Sequence, residues 1–394
     1  MKILVLSFWT PPAIRPQAIL IGKMLPEWHK QGIDPVVVTY ESEQVYKSDF
    51  PVYFIPQFSC GGSGLLGRFK RAMYRTRYFR DLKKRVVAIC AEHDIDVIFS
   101  FSNPQDSNIL GAMLKKILKR PFVSHFSDPW IDNPYKAFSG MGGILEKRRE
   151  AFVMKQSDSI IFTNDVAKRV VMSKYPASFQ EKALVVPHCY SEYPAAAKPG
   201  RSKFVLSHIG AFYKQRTPSV LFDSLSRMLR EKPELRSRVR VHLIGASNPY
   251  SGYGKDDVMN LVKKYDLADI VMVSDPVSYE TSLEHMTRAD CLIAIDANYP
   301  DSPFLPSKVI DYVGSGSAII GITPDNSPTA AVLTQVGYRS FSYSETEALA
   351  TYMAGLICGD EHPIRKDHEA EIFHVRNTTA RYVSLFHTLR HLNF

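Results

Sequence analysis

The chain has 394 residues, too many for one ordinary hydrophobic core, and at roughly 100–200 residues per domain this length predicts two domains. The composition, 45% hydrophobic and 23% charged, is that of a globular protein and excludes disorder, collagen and coiled coil as the main architecture. No apolar run reaches the ~18 residues of a transmembrane helix, and five scattered cysteines without a CxxC pair argue against a zinc site or a disulfide framework. A reducing cytoplasm is therefore the expected compartment.

Short apolar runs alternate with helical patterns along both halves of the chain. In the first half we predict strands over residues 2–8, 35–39, 96–101, 122–126 and 159–163, with helices between them, for example over 16–30 and 105–118. In the second half we predict strands over 204–209, 239–244, 270–273, 291–295 and 318–322. Residues 1–9 are interpreted as a core strand rather than a signal peptide, because no small-residue cleavage site follows them. The alternation predicts an α/β fold with parallel sheets covered on both faces.

Residues 191–202 are polar, rich in Pro and Ala and without apolar period, so they are predicted to be a linker. One doubly wound, Rossmann-like domain is expected over residues 1–192 and a second over 203–366. A helical pattern covers residues 367–394, and we expect this helix to pack back on the N-terminal domain. The two domains are expected to face each other across a cleft lined by loops at the carboxyl ends of strands, where ligands bind.

The net charge of +9 is carried by one half of the chain. Residues 1–190 hold 27 Lys and Arg against 17 Asp and Glu, and nine basic residues fall within residues 68–85. This segment predicts a basic helix with an apolar stripe formed by Leu66, Phe69 and Met73. Such a helix suits an anionic membrane surface, and its interleaved aromatic residues would also suit RNA or DNA. The remaining alternative is a solvated helix whose second half packs into the core through Phe79, Leu82 and Val86.

A candidate anion site follows the first strand of the second half. That strand ends at Gly210, a short loop carries Lys214 and Arg216, and a helix is predicted to begin with Thr217 as N-cap and Pro218 as first residue. A helix N-terminus beside an Arg side chain suits phosphate. The alternative is an ordinary strand–helix turn with a surface arginine.

A second stretch favours the phosphate interpretation. Ser307 is predicted to open a short helix that ends at Gly314 or Gly316. Lys308 lies in its first turn, where a cation is unfavourable to the helix dipole unless an anion binds there. Asp311 lies one turn further on and could accept hydrogen bonds from a ribose diol, although it could equally be a solvated helix charge.

Three blocks resemble a known family. They are FWTPP at residues 8–12, HFSDPW at 125–130 and PSKVIDYVGSG at 306–316. They are similar to blocks of the glycosyltransferase family 4 enzymes, in particular a polysaccharide-biosynthesis subgroup. The resemblance covers about residues 1–360, and the last block is the most specific. It implies the GT-B architecture of two Rossmann-like domains.

The resemblance also implies roles for individual residues. Arg216 and Lys308 would neutralise the departing diphosphate, Gly210 would permit close backbone approach, and Asp311 would bind the nucleotide ribose. The complete predicted donor site comprises Gly210, Lys214, Arg216, Ser307, Lys308 and Asp311. No Asp-x-Asp follows a strand, so we expect no metal ion and no cofactor other than the nucleotide-sugar substrate.

The first half contributes two further candidates for catalysis. His125 and Asp128 lie where a predicted strand ends, facing the expected cleft, and a histidine with an ordinary pKa of ~6.5 could orient or deprotonate an acceptor hydroxyl. The alternative is a histidine packed beside Trp130. His188, at the start of the linker, and His208, near the end of its strand, are expected to be structural.

These expectations combine into a retaining, metal-independent glycosyltransferase that transfers a sugar from a nucleotide-sugar to a lipid-linked surface glycan. A cytoplasmic location at the inner membrane face is expected, with no nucleic-acid partner. One alternative is a nucleotide-sugar epimerase or phosphorylase on the same scaffold. Another is a non-catalytic protein that binds anions or nucleic acid through residues 68–85.

Overall fold

The computed structural model describes residues 1–42, 46–61, 64–193, 202–246 and 252–391, except for the side chains of residues 64–66, 68 and 69. The chain divides into two compact units. Unit 1 is Met1–His188 with Val375–Phe394, and unit 2 is Cys189–His374. From the sequence, the first domain was predicted to end at residue 192, the second to begin at 203, and the last helix to begin at 367. Most of the predicted linker, residues 194–201, lies outside the described residues.

Unit 1 contains a seven-stranded sheet and the helices that cover it. Its strands are β1 (Lys2–Ser7), β2 (Asp34–Tyr40), β3 (Val52–Ile55), β4 (Val97–Phe101), β5 (Phe122–Phe126), β6 (Ser159–Phe162) and β7 (Ala183–Val185). Its helices up to residue 188 are α1 (Pro16–Lys30), α2 (Gly64–Glu92), α3 (Asp106–Leu118), α4 (Gly140–Gln156), α5 (Asp165–Met172) and α6 (Ala177–Gln180). The strand order is β3-β2-β1-β4-β5-β6-β7, and every pairing is parallel.

Unit 2 repeats this design with six parallel strands. The strands are β8 (Phe204–Ile209), β9 (Val239–Ile244), β10 (Val271–Ser274), β11 (Cys291–Ile295), β12 (Ala318–Ile322) and β13 (Arg339–Phe341). The helices are α7 (Ser219–Glu231), α8 (Lys255–Lys264), α9 (Tyr279–Arg288), α10 (Ser307–Ser315), α11 (Pro328–Gln335), α12 (Thr346–Cys358) and α13 (Asp367–Glu371), with a short 3₁₀ helix at Pro233–Ser237. The strand order is β10-β9-β8-β11-β12-β13.

The expected pair of doubly wound parallel sheets is confirmed, and all ten predicted strands are present. Sequence reasoning missed β3, β7 and β13, which all lie at a sheet edge. These strands are only three or four residues long, and each includes partly exposed side chains. A continuous apolar run marks strands buried on both faces, so it does not detect such edges.

The helical pattern predicted over residues 367–394 is interrupted in the structure. α13 belongs to unit 2, and a separate helix, α14 (Val375–Arg390), belongs to unit 1. α14 packs against α1, where fully buried Phe386 and Tyr382 contact the Trp28 ring at centroid distances of 5.6 and 5.4 Å. Gln31 Nε2 donates to Thr379 Oγ1 at 2.8 Å. The end of the chain therefore completes the core of the first unit.

The basic segment at residues 68–85 forms part of the continuous helix α2. Phe79, Leu82 and Val86 are buried in the unit 1 core, as the solvated-helix alternative expects of the second half. Met73 of the predicted apolar stripe is 53% exposed, whereas the Leu66 and Phe69 side chains lie outside the description. In the described part of the chain, no helix combines the length and apolar character needed to cross a bilayer.

Candidate functional site

The predicted donor residues of unit 2 lie at the point where the strand order reverses. β8 and β11 are neighbours, whereas β9 and β10 extend the sheet on one side and β12 and β13 on the other. Ligands of open α/β sheets bind at the carboxyl ends of the strands beside such a switch point. The loops that follow β8 and β11 are joined here, because Asn298 N donates to Gln215 O at 3.3 Å.

Helix α10 is fixed against the end of β8 by one tyrosine. The Tyr312 hydroxyl accepts from Ile209 N at 2.8 Å and donates to Ile209 O at 3.2 Å, and its side chain is fully buried. Gly210 follows with φ +128°, and a Cβ there would lie 3.1 Å from Lys308 Nζ. Glycine at this position therefore serves two needs, an unusual backbone conformation and space for the ammonium group.

Lys308 lies in the first turn of α10, as predicted, and its ammonium group is paired with an imidazole. Nζ is 3.1 Å from His208 Nε2, and His208 Nδ1 is 2.8 Å from Ile293 O. Since a carbonyl only accepts, Nδ1 carries the proton and Nε2 accepts from Lys308. Burial, followed by the charges of Lys308 and Arg216, holds the His208 pKa well below its usual value, so the ring is neutral.

The same surroundings perturb the lysine. Burial, and then the nearby Arg216 charge, hold the pKa of Lys308 well below its usual value, against the opposing effect of Asp296. A bound anion would offset the loss of hydration and favour the protonated form of Lys308. The site therefore holds a cation whose protonation is coupled to anion binding.

Arg216 is held in a tight turn after β8. Its NH2 group donates to Ala211 O at 2.7 Å, and the guanidinium lies 4.4 Å from the centre of the Tyr213 ring. Its Nε is buried and makes no hydrogen bond to any described residue. Buried donors are nearly always paired, so an unpaired guanidinium donor beside a second cation indicates a place for an anionic ligand.

Asp296 directly follows β11 and was not identified from the sequence. It is 3% exposed, and neither carboxylate oxygen makes a hydrogen bond within the described part of the chain. Burial raises its pKa to about 6, while the charges of Arg216 and Lys308 oppose that shift. The available sequence signal was an acidic residue immediately after a continuous apolar strand.

Asp311 is almost fully buried and belongs to a group of tyrosines. Tyr279 OH donates to Asp311 Oδ1 at 3.1 Å, and Tyr193 OH donates to the Asp311 carbonyl. Burial raises the pKa of Tyr279 above its usual value, with Asp311 contributing. The carboxylate is thus buried and accepts from the Tyr279 hydroxyl, which excludes the surface-charge alternative for Asp311.

The remaining donor candidates are less enclosed. Lys214 is exposed in the loop after β8, and Ser307 is half-buried at the start of α10. This helix is capped at its C-terminal end by Gly316 with φ +73°. The predicted start of α7, the helix after the Lys214 loop, is wrong: α7 begins at Ser219, and Thr217 is not its N-cap. The Thr217 hydroxyl instead pairs with the Ser219 hydroxyl at 2.8 Å.

In unit 1, His125 lies in the buried strand β5. Its ring stacks on Phe101 with centroids 4.2 Å apart, and its Nδ1 has no hydrogen-bond partner in the described structure. Burial, with a smaller effect of His188, holds its pKa well below the usual value. Burial also lowers the pKa of His188 to about 3, with Lys23 contributing. Both histidines are therefore neutral, and His125 is a weak base.

Asp128 lies just beyond β5 and has different neighbours. Asn103 Nδ2 donates to Asp128 Oδ2 at 3.1 Å. Burial raises the Asp128 pKa, and the Lys136 charge and the Asn103 hydrogen bond oppose this effect. No contact between the His125 and Asp128 side chains is recorded within the described ranges. The raised pKa makes this carboxylate a stronger base than an ordinary aspartate.

Potential metal ligands are dispersed. Among the residues that the structure describes, no group of three or more His, Cys, Asp or Glu side chains could hold a metal ion. The charged groups near Gly210 are instead two cations and one carboxylate.

No family model matches the chain. In sequence it is similar to the D-inositol 3-phosphate glycosyltransferase of Kineococcus radiotolerans, with 26% identity over 211 residues that cover 45% of this chain and 48% of that relative. It is also similar to the enzyme of the same name from Geodermatophilus obscurus, with 29% identity over 94 residues that cover 24% of this chain and 21% of the relative. The chain thus matches about half of the first curated relative and less of the second.

In fold, the chain is similar to sucrose-phosphate synthase from Thermosynechococcus elongatus, with a TM-score of 0.72, 13% identity and 98% of both chains covered. It is similar to Anabaena HepE in complex with UDP, with a TM-score of 0.69, 15% identity and coverage of 99% and 100%. The fold is that of the GT-B glycosyltransferases, as expected.

Proposed function

We propose that this chain is a glycosyltransferase whose unit 2 binds the nucleotide-sugar donor. The observation that carries the proposal is the arrangement of Lys308, Arg216 and Gly210 at the switch point of the sheet, with a buried unpaired Arg216 Nε. Two cations, one of them in the first turn of a helix, beside a glycine suit a diphosphate. The names of the curated relatives and the UDP in the HepE complex support the same conclusion.

In the proposed reaction, the bond between the sugar C1 and the donor phosphate oxygen breaks, and its electron pair goes to the phosphate. Lys308 and Arg216 stabilise the negative charge that develops there, which is where preorganised charge has the largest effect on rate. The acceptor hydroxyl oxygen forms the new bond to C1, and its proton passes to the departing phosphate. We propose that configuration is retained and that these two cations do the work of a divalent metal.

Asp311 is proposed to bind the ribose of the donor. The Tyr279 hydroxyl already donates to Oδ1, which fixes the carboxylate before the ligand arrives. Such preorganisation lowers the cost of ordering the site on binding. Gly210, Lys214 and Ser307 would complete the donor site through backbone approach and polar contacts.

Unit 1 is proposed to bind the acceptor, a lipid-linked surface glycan at the inner face of the cell membrane. Its excess of positive charge suits a phosphate-bearing acceptor and an anionic surface. Asp128, whose pKa is raised by burial, would orient the acceptor hydroxyl. No nucleic-acid partner is part of this proposal.

A panel of nucleotide-sugars with a lipid-linked acceptor tests the function. We expect release of nucleoside diphosphate that depends on the acceptor. The same release should occur when a chelator removes divalent metal ions. If the chain binds no nucleotide and releases none with any donor, the proposal is wrong. Conversion of a donor without acceptor would instead identify an epimerase or phosphorylase.

The two cations can be tested against a matched control. Lys308→Ala and Arg216→Ala should each reduce turnover about 100-fold or more, as loss of one group that stabilises transition-state charge commonly does. Lys263→Ala removes an exposed lysine of α8 in the same unit and should leave turnover unchanged. Near-normal turnover of both site variants, with folding intact, contradicts the assignment.

A further inference from the structure

Unit 1 contains a groove that the proposed reaction does not use. It has a volume of about 410 Å³ and is lined by Arg75, Thr76, Phe79, Arg80, Lys83, Ile109, Met113, Arg148, Arg149 and Phe152. These residues belong to α2, α3 and α4, so we call it the α2–α4 groove. Its size is within the range of small-molecule sites.

The floor of the α2–α4 groove is apolar. Phe79 is 7% exposed and Ile109 4%, while Met113 and Phe152 are half-buried. Phe79 and Ile109 belong to the hydrophobic core of unit 1, and Met113 and Phe152 pack against it. A ligand that enters this groove must therefore present an apolar part.

The rim of the groove is basic. Arg75 pairs with Asp106 and Arg149 pairs with Glu146, so part of this charge is already neutralised. Lys83 and Arg148, by contrast, have no ion pair recorded in the described structure. Two uncompensated cations above an apolar floor suit a ligand with an anionic head and an apolar tail.

Two of the three helices that line the groove also expose apolar side chains. On α4, Met141 is 78%, Ile144 49% and Leu145 46% exposed, and on α2, Met73 is 53% exposed. Clustered exposed hydrophobic residues beside cations are typical of a surface that inserts into a lipid interface. A nucleic acid would use the cations but would leave these aliphatic side chains in water.

We propose that the α2–α4 groove binds one anionic phospholipid of the bilayer, with its phosphate against Lys83 and Arg148 and its upper acyl chain over Phe79, Met113 and Phe152. The site deepens the proposed membrane location and rests on it, but it is independent of the proposed reaction. It would hold unit 1 at an anionic surface by a specific contact as well as by general charge.

The test measures binding of the full chain to phosphatidylcholine vesicles with and without phosphatidylglycerol. Each cation near an anionic surface is worth about fivefold in affinity, so the double variant K83Q/R148Q should bind anionic vesicles roughly 30-fold more weakly. The matched control K84Q/R85Q removes the same charge from exposed positions of α2 outside the groove. A smaller loss is expected for this control.

A third variant, Met113→Trp, fills the groove without a change of charge and should also weaken binding to anionic vesicles. Equal losses for the two charge variants, or unchanged binding of Met113→Trp, would overturn the proposal in favour of non-specific attraction. Salt-sensitive RNA binding that excludes vesicles would also overturn it. Thermal unfolding checks that each variant folds, and transfer to a detergent-solubilised acceptor should be retained, which separates this site from the proposed reaction.

Discussion

Asp296 offers a quantitative test of the electrostatics of the candidate site. Its carboxylate is almost completely buried and accepts no hydrogen bond from any described residue, and its pKa is raised from 3.8 to about 6. A shift of about two units corresponds to about 3 kcal/mol, at 1.36 kcal/mol per unit. In the ligand-free protein, ionisation of this carboxylate lowers the free energy of unfolding by that amount.

The direction of the pH effect follows from the raised pKa. The folded protein binds the Asp296 proton more tightly than the unfolded chain does. This proton therefore stabilises the folded protein fully below about pH 4, and the stabilisation is lost as the pH rises through about 6. Asp296→Asn removes the ionised form. We therefore expect the variant to match the native protein near pH 4 and to exceed it by about 3 kcal/mol above pH 7.

Denaturant unfolding of the two proteins at several pH values between these limits measures the difference. In a thermal scan the gain corresponds to an increase of roughly 6–12 °C in the Tm of unit 2, at 2–4 °C per kcal/mol for a unit of this size. Asp301→Asn, in the same loop but exposed, should change stability by less than about 0.5 kcal/mol. If Asp296→Asn is no more stable than the native protein above pH 7, the carboxylate is not the unsatisfied charge described here.

Three further changes test other parts of the structure. Gly210→Ala forces a side chain into φ +128° and against Lys308 Nζ, so binding of the proposed nucleoside diphosphate, measured by calorimetry, should weaken by about 1–3 kcal/mol; an unchanged Kd contradicts the close approach. Tyr279→Phe removes the hydroxyl that donates to Asp311 and should cost about 1 kcal/mol of binding free energy for the proposed nucleoside diphosphate but nothing for pyrophosphate, whereas equal losses would exclude a ribose role. Phe386→Ala should destabilise unit 1 by about 3–5 kcal/mol in denaturant unfolding, and a loss under about 1 kcal/mol would show that α14 is dispensable.

Histidines show where sequence reasoning about the site was limited. His125 was proposed for catalysis because it lies where a strand ends; in the structure its ring stacks on Phe101, and burial holds its pKa well below the usual value. His208 was considered structural, yet it accepts from Lys308, the central candidate cation. The pattern of residues around each histidine was similar in the sequence. What differs is the partner that tertiary structure places beside each ring.

The sequence by itself determined the two parallel sheets, the central strands and the donor candidates, because apolar periodicity and local turn chemistry are properties of neighbouring residues. Only the tertiary structure decided that Asp296 and His208 belong with Lys308. These residues lie on separate elements, and they meet because β11 pairs with β8 and Tyr312 fixes α10 to the end of β8. Strand order is a long-range property, so no local pattern contains it. The groove between α2, α3 and α4 is likewise a product of how three helices pack.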